Sequence, residues 1–202
     1  MGTKAQAAPV EKPSPCIARQ PILTADENVV GYELFFREAR EERRFTSDGE
    51  TATSATIDTL NLVGLEVLCD GRLAFINCTH DGLLTENFAL LPPGDVVIEI
   101  QETVLADDEA VKACQRLKQL GFSIALDNFV PCDPREALVP YADYLKVDIT
   151  RVPPMQCATL VAQYGSETCR MLAHKVETRQ HFVTNSGEPG YIPAAAECSL
   201  QI

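Results

Sequence analysis

The stretch "DVVIEIQETVLADDEAVKACQRLKQLGFSIALD", residues 95–127, holds a strand, a helix and a second strand in one pattern. Val96–Ile100 and Phe122–Leu126 are short apolar runs, each carrying an acid at or beside its end, Glu99 and Asp127. Between them Ala110, Cys114, Leu117 and Gly121 recur at helical spacing. Asp107, Asp108 and Glu109 occupy the first turn, Lys and Arg come later, and Gly121 is placed to stop the helix. Strands that are apolar without alternation are buried on both faces, and two of them joined through a helix imply a parallel βαβ unit.

The pattern extends in both directions. Upstream, the helix "TSATIDTLNLVGLEVL" precedes the strand "LAFINC", and "DGLLTENFALL" precedes "DVVIEI". Downstream, "PREALVPYA" precedes "DYLKVD" and "MQCATLVAQYG" precedes "CRMLAHKVE". Before all of these, "CIARQPIL" and "NVVGYELFF" are β-like runs joined by "TADE", a connection short enough for a hairpin, so the first two strands are expected to be antiparallel. Seven strands are recognisable, ending near residue 177, and the fold class is α/β: a barrel or an open doubly wound sheet. Residues 1–15, rich in Ala, Pro and Lys, read as a flexible leader, 16–182 as the barrel domain and 183–202 as an atypical tail. "PGYIPAAAECSLQI" reads as neither strand nor closing helix, and a truncation or frame shift near residue 183 is expected.

Composition narrows the function classes. A 202-residue chain that is 46% hydrophobic is long enough for one sizeable core. Its net charge of −12 argues against binding DNA, RNA or anionic membranes by clustered cations, so an anionic ligand would need a local Lys or Arg. No apolar run approaches the roughly 20 residues of a membrane span, and the N-terminus lacks a signal-peptide core, so a cytoplasmic location is expected. The 8 cysteines form no CxxC pair and mostly lie in apolar stretches, which predicts reduced, packed thiols rather than a zinc site or disulfides.

The chemistry sits at the strand ends: Glu33 in "YELFF", Asn77 in "AFINCT", Glu99 in "VVIEI", Asp127 in "IALDN", Lys146 and Asp148 in "YLKVD", and Glu177 in "HKVET". In a parallel barrel the C-terminal rim gathers such residues around one cavity. One acid at a strand end is usually a solvated loop residue or a helix cap, but repetition over six successive strands is not explained that way. Acids with an Asn suit a hard cation such as magnesium or manganese. Asp148 is the weakest member, since it can simply turn the chain after its strand. Lys146, flanked by Leu145 and Val147, points between acids. His80, His174 and His181 are scattered, and no Cys/His pair, Ser triad, GxGxxG or P-loop occurs.

These ordered motifs resemble the EAL domain, the family of cyclic-di-GMP phosphodiesterases. "ARQPIL…GYELFFR" with "DNFV" resembles most closely the divergent EAL-like half of EAL–HDOD signalling proteins. The resemblance spans roughly residues 16–182 and implies a TIM-like (β/α) barrel with an antiparallel first strand, incomplete here for want of an eighth unit. It also implies that an HDOD output domain would follow in full-length relatives. The family's Glu-Ala-Leu-x-Arg reads Glu33-Leu34-Phe35-Phe36-Arg37, so the resemblance assigns Arg37 to substrate phosphate. It makes Glu33, Asn77, Glu99 and Asp127 metal ligands, for one magnesium or manganese ion at most. Lys146 and Glu177 match the family's catalytic lysine and the last Glu of its Glu-Gly-Val-Glu motif, and are vestigial on this reading.

Departures set the functional expectation. The family's Asp-Asp-Phe-Gly reads Asp127-Asn128-Phe129-Val130, which turns a charged second-metal ligand into an amide. The Gly/Ser-rich loop that follows is replaced by "VPCDPREALVPYA", the first Glu of Glu-Gly-Val-Glu is His174, and the late Gln-Gly motif is absent. The expectation is a degenerate, catalytically inactive regulatory or interaction module with protein partners in a signalling pathway. A weak one-metal phosphodiesterase and a non-hydrolysing cyclic-di-GMP sensor are the alternatives. An unclosed barrel also leaves open sheet edges, through which a dimer can form.

Overall fold

The computed structural model of the chain describes residues 16–24, 26–37, 64–85, 87–176 and 191–193. Its strands β1 (Cys16–Leu23), β2 (Val29–Arg37), β3 (Leu73–Cys78), β4 (Val96–Ile100), β5 (Ser123–Leu126), β6 (Tyr144–Asp148), β7 (Arg170–His174) and β8 (Tyr191–Pro193) form one sheet in sequence order. β1 and β2 pair antiparallel and every later pair is parallel, as the hairpin and the βαβ pattern require. Gly31 permits the β2–β3 approach, because a Cβ there would sit 2.7 Å from the Leu73 carbonyl oxygen.

β8 corrects the reading of residues 183–202 as containing no strand. Three residues ending in proline are too short to give a periodic signal, and proline is tolerated only where its missing N–H is not needed. β8 approaches β1, but among the described residues no ladder joins them, so the barrel is incomplete. Residues 1–15 and Glu177 lie outside the described residues, as does most of 183–202.

The helices are α1 (Leu65–Cys69), α2 (His80–Leu84), α3 (Asp108–Gln119) and α4 (Pro154–Tyr164). The Asp107 side chain caps α3 by accepting from the Ala110 N–H at 2.8 Å, and Ala110, Ala113, Cys114 and Leu117 form its buried face. Two expected helices are corrected in part. "DGLLTENFALL" splits into α2 and a 3-10 helix at Asn87–Leu90, and "PREALVPYA" forms only a 3-10 helix at Glu136–Tyr141. Pro140 lacks the N–H that an α-helix interior needs. Of the helix expected over 53–68, only Leu65 onward and Gly64 before it are described.

The period of two along each strand divides the core. Ile76, Ile98, Ile124, Leu145 and Met171 face the helices in the large outer cluster. Ile22, Phe75, Val97, Ala125, Tyr144 and Leu172 fill the barrel interior, where the Phe75 and Tyr144 rings meet edge-on at 5.3 Å. Two residues further along β3 to β7, on the same face, stand Asn77, Glu99, Asp127, Lys146 and His174. An apolar plug therefore forms the floor of a polar layer.

Candidate functional site

The polar layer is a ring at the C-terminal ends of the parallel strands. The register places Asn77 beside Glu99, while β2 brings Glu33 beside Phe75, one layer lower in register but reaching upward. Glu33, Glu99, Asp127 and Lys146 are all buried, so each charge needs a partner. Lys146 is that partner. Its Nζ donates to Glu33 Oε2 at 2.7 Å and to Glu99 Oε1, and lies 3.5 Å from Asp127 Oδ1. Asn77 Nδ2 donates to Glu33 Oε1 at 3.4 Å, and Asn128 Nδ2 donates to Asp127 Oδ2 at 2.9 Å. His174 Nδ1 stands 3.6 Å from Asp127 Oδ1.

One ammonium cannot balance three buried carboxylates. Burial first, then the neighbouring Glu33 charge, pushes the fully enclosed Glu99 well above the carboxylate range, toward its neutral form. Burial acts to lower Lys146, but Glu33, Glu99 and Asp127 together outweigh it and hold the ammonium charged. Burial, followed by the Lys146 charge, lowers His174 below its ordinary value and keeps the imidazole neutral.

The ring is also under-satisfied. Glu99 Oε2, Asp127 Oδ1, Asn128 Oδ1 and His174 Nδ1 are buried without a hydrogen-bond partner, four of six such side-chain atoms among the described residues. Unpaired lone pairs of this kind fit a cation or ordered water. Still, no group of three or more His, Cys, Asp or Glu side chains is arranged among the described residues to hold a metal ion. The Lys146 ammonium lies where the acids converge.

Beside the ring, the loop after β5 is tied down. Arg135, 1% exposed, donates through Nη1 to the Ile100 carbonyl at 3.1 Å, and through Nη2 to the Asp127 carbonyl at 2.8 Å and Asp133 Oδ2 at 2.8 Å. Its Nε reaches Asp133 Oδ1 at 2.9 Å, and Asp133 also accepts from the backbone N–H groups of Val130 and Arg135. The loop is thus bolted to the ends of β4 and β5.

Of the residues singled out from the sequence, Glu33, Asn77, Glu99, Asp127 and Lys146 come together. Asp148 does not join them: its carboxylate holds Thr150 and Lys175, at 2.6 Å and 2.7 Å, and turns the chain after β6. Arg37 ends β2, and its side chain lies outside the described residues, as Glu177 does entirely. Three contributors escaped a reading of strand ends. His174 was masked by its scattered setting, and the Asp133–Arg135 pair by lying in a loop. Gln20 was hidden because only the antiparallel register puts it directly opposite Glu33.

No protein-family model matches the chain. It is 34% identical over 172 residues to the uncharacterized protein YuxH of Bacillus subtilis, covering 82% of this chain and 42% of that protein. It is also 34% identical over 172 residues to the cyclic di-GMP phosphodiesterase CdgJ of Vibrio cholerae, covering 82% of this chain and 39% of that one. The chain therefore spans about two fifths of the length of these curated relatives. Among solved structures, BlrP1 of Klebsiella pneumoniae in its manganese and cyclic-di-GMP complex superposes with a TM-score of 0.69 at 18% identity, over 97% of this chain and 57% of that one. The EAL-like domain protein YdiV superposes with a TM-score of 0.68 at 15% identity, over 93% of this chain and 92% of that one. The chain thus shares its fold with EAL structures over nearly its whole length, and over 82% of that length it is one third identical to two curated proteins, one of them a cyclic di-GMP phosphodiesterase.

Proposed function

We propose that the chain is a non-hydrolysing EAL-like module of cyclic-di-GMP signalling, acting through ligand or protein contacts rather than through turnover. The observation that carries this is the state of Asp127. Where the family resemblance calls for a second acid, Asn128 instead turns its amide nitrogen onto Asp127 Oδ2. In-line phosphodiester hydrolysis with two metals needs both ions to activate water and to neutralise developing charge. Losing one is worth several kcal/mol of transition-state stabilisation, and each ~1.4 kcal/mol is about tenfold in rate. The loop clamped by Arg135 supports the same reading, because a bolted loop does not close over a ligand.

The test is incubation of the purified chain with cyclic-di-GMP and magnesium or manganese, followed by chromatography. No linear dinucleotide is expected, and turnover at rates typical of enzymes would overturn the proposal.

A second reading, a weak phosphodiesterase with one ion on Glu33, Asn77, Glu99 and Asp127, is favoured by the partnerless Glu99 Oε2. Lys146, Glu177 and Arg37 would then keep the roles the resemblance gives them. Asn128→Asp should raise turnover if that ligand alone is missing. Calorimetric titration separates both readings from a pure protein-interaction role, since heat without product marks a sensor and no heat leaves only protein partners.

A further inference from the structure

We infer that Arg151, at the rim of the barrel mouth, is a phosphate-binding residue of this module, held by Glu102 in the free protein and released to an anionic ligand. This rests on the reading of the chain as a ligand-contacting EAL-like module, and adds the group that meets the anion. In a chain of net charge −12 an anionic ligand needs a local cation. Lys146 does not serve, because its ammonium is 1% exposed and committed to Glu33, Glu99 and Asp127. Three carboxylates around one ammonium do not attract an anion, so the anion is met at the rim, beyond the ring.

The loops leaving β6 and β7 bring two cations to that rim, both tied to Asp148. The Arg151 N–H donates to the Asp148 carbonyl at 3.1 Å, and Lys175 Nζ donates to the Asp148 carboxylate at 2.7 Å. Lys175 is fixed, since the carboxylate that holds it is buried and would be left unpaired. Arg151 is not fixed. Its Nη1 lies 3.4 Å from Glu102 Oε2, reaching past the end of β5 to the loop after β4, and the two side chains are 59% and 50% exposed. An exposed pair of that length holds weakly. A phosphate group offers the same guanidinium two parallel N–H···O bonds, shorter and stronger than this contact.

The test is calorimetric titration of the whole chain with cyclic-di-GMP, for wild type, Arg151→Gln, Glu102→Gln and the double variant, with chromatography of each sample afterwards. Arg151→Gln should weaken binding about tenfold, the size of one charge-assisted contact. Glu102→Gln should tighten it about threefold, because the guanidinium no longer has to leave a carboxylate, and misfolding does not produce a gain. That gain should vanish in the double variant, which should bind as Arg151→Gln does. Added salt should weaken the wild type more steeply than Arg151→Gln. Affinity unchanged in Arg151→Gln, or a Glu102→Gln gain that survives without Arg151, would overturn the inference. Equal losses in the two single variants would make the pair a structural tie and overturn it as well. No heat with any of the four proteins would overturn the Arg151 assignment and leave the non-hydrolysing reading standing. Linear dinucleotide in the wild-type sample, with the expected order of affinities, would overturn the non-hydrolysing reading alone.

Discussion

Two buried ionic clusters sit side by side in this molecule, and they are built on opposite terms. The Asp133–Arg135 pair in the loop after β5 matches one carboxylate to one guanidinium, and the bonds around it bind the loop to two strand ends. The Lys146 ring sets three carboxylates around one ammonium and leaves four buried atoms without a hydrogen bond. A balanced buried pair is a fastening, whose removal exposes an unpaired charge. An unbalanced cluster is retained at a cost in stability, and such cost is typical of sites that receive something from outside.

The largest effect should come from breaking the fastening. Arg135→Met leaves Asp133 buried without its cation and takes a donor from two strand-end carbonyls, of which Ile100 keeps the Asp127 N–H at 2.9 Å, and should destabilise the fold by about 3–5 kcal/mol in urea unfolding. A loss below ~1 kcal/mol would mean that the pair is no fastening and that the contrast between the clusters is false.

In the ring the sign should invert. Glu99→Gln fixes the neutral state toward which burial pushes Glu99 while keeping the shape, so the variant no longer has to take up a proton on folding, and should stabilise the protein by about 1–2 kcal/mol at pH 8. The pH dependence follows from the direction of the Glu99 shift. Its folded pKa lies above its unfolded value, so the folded state holds the proton more tightly. That contribution is fully present below the ordinary carboxylate range and is lost as pH rises through the folded pKa. The Glu99 contribution should therefore fall on going from pH 5 to pH 8, against the opposite trend from His174, whose lowered pKa makes stability rise with pH, and Glu99→Gln should make the slope of stability with pH more positive than in wild type. A slope no more positive in the variant would refute this account of the ring.

The same contrast explains what could be read from the sequence. Strand order, the antiparallel start and the ring members Glu33, Asn77, Glu99, Asp127 and Lys146 were legible because each interrupts an apolar run at a fixed place, and a parallel sheet brings such places together. Arg135 was not legible: nothing local distinguishes a loop arginine that turns inward to two main-chain carbonyls from one that faces water. β8 is not legible because three residues give no period, and the apolar spacing of "PREALVPYA" points to an α-helix that Pro140 does not allow. The lone-pair deficit around Asp127 and His174 is a property of packing distances, which spacing does not encode.

The smallest effect serves as the control for both clusters. Lys118 Nζ bonds Asp143 at 2.6 Å and 2.7 Å, yet about a third of each side chain is exposed. Water already solvates much of each charge, so the Coulomb gain is mostly cancelled and what remains is screened by salt. Asp143 also accepts the Ile124 N–H at 2.8 Å, so its position does not depend on the lysine. Lys118→Met should cost less than about 1 kcal/mol, and the difference from wild type should shrink further in 1 M salt, where the Debye length is about 3 Å. If its cost instead matched that of Arg135→Met, short distance alone would decide the strength of an ion pair here, and burial and charge balance, which separate the fastening from the site, would not.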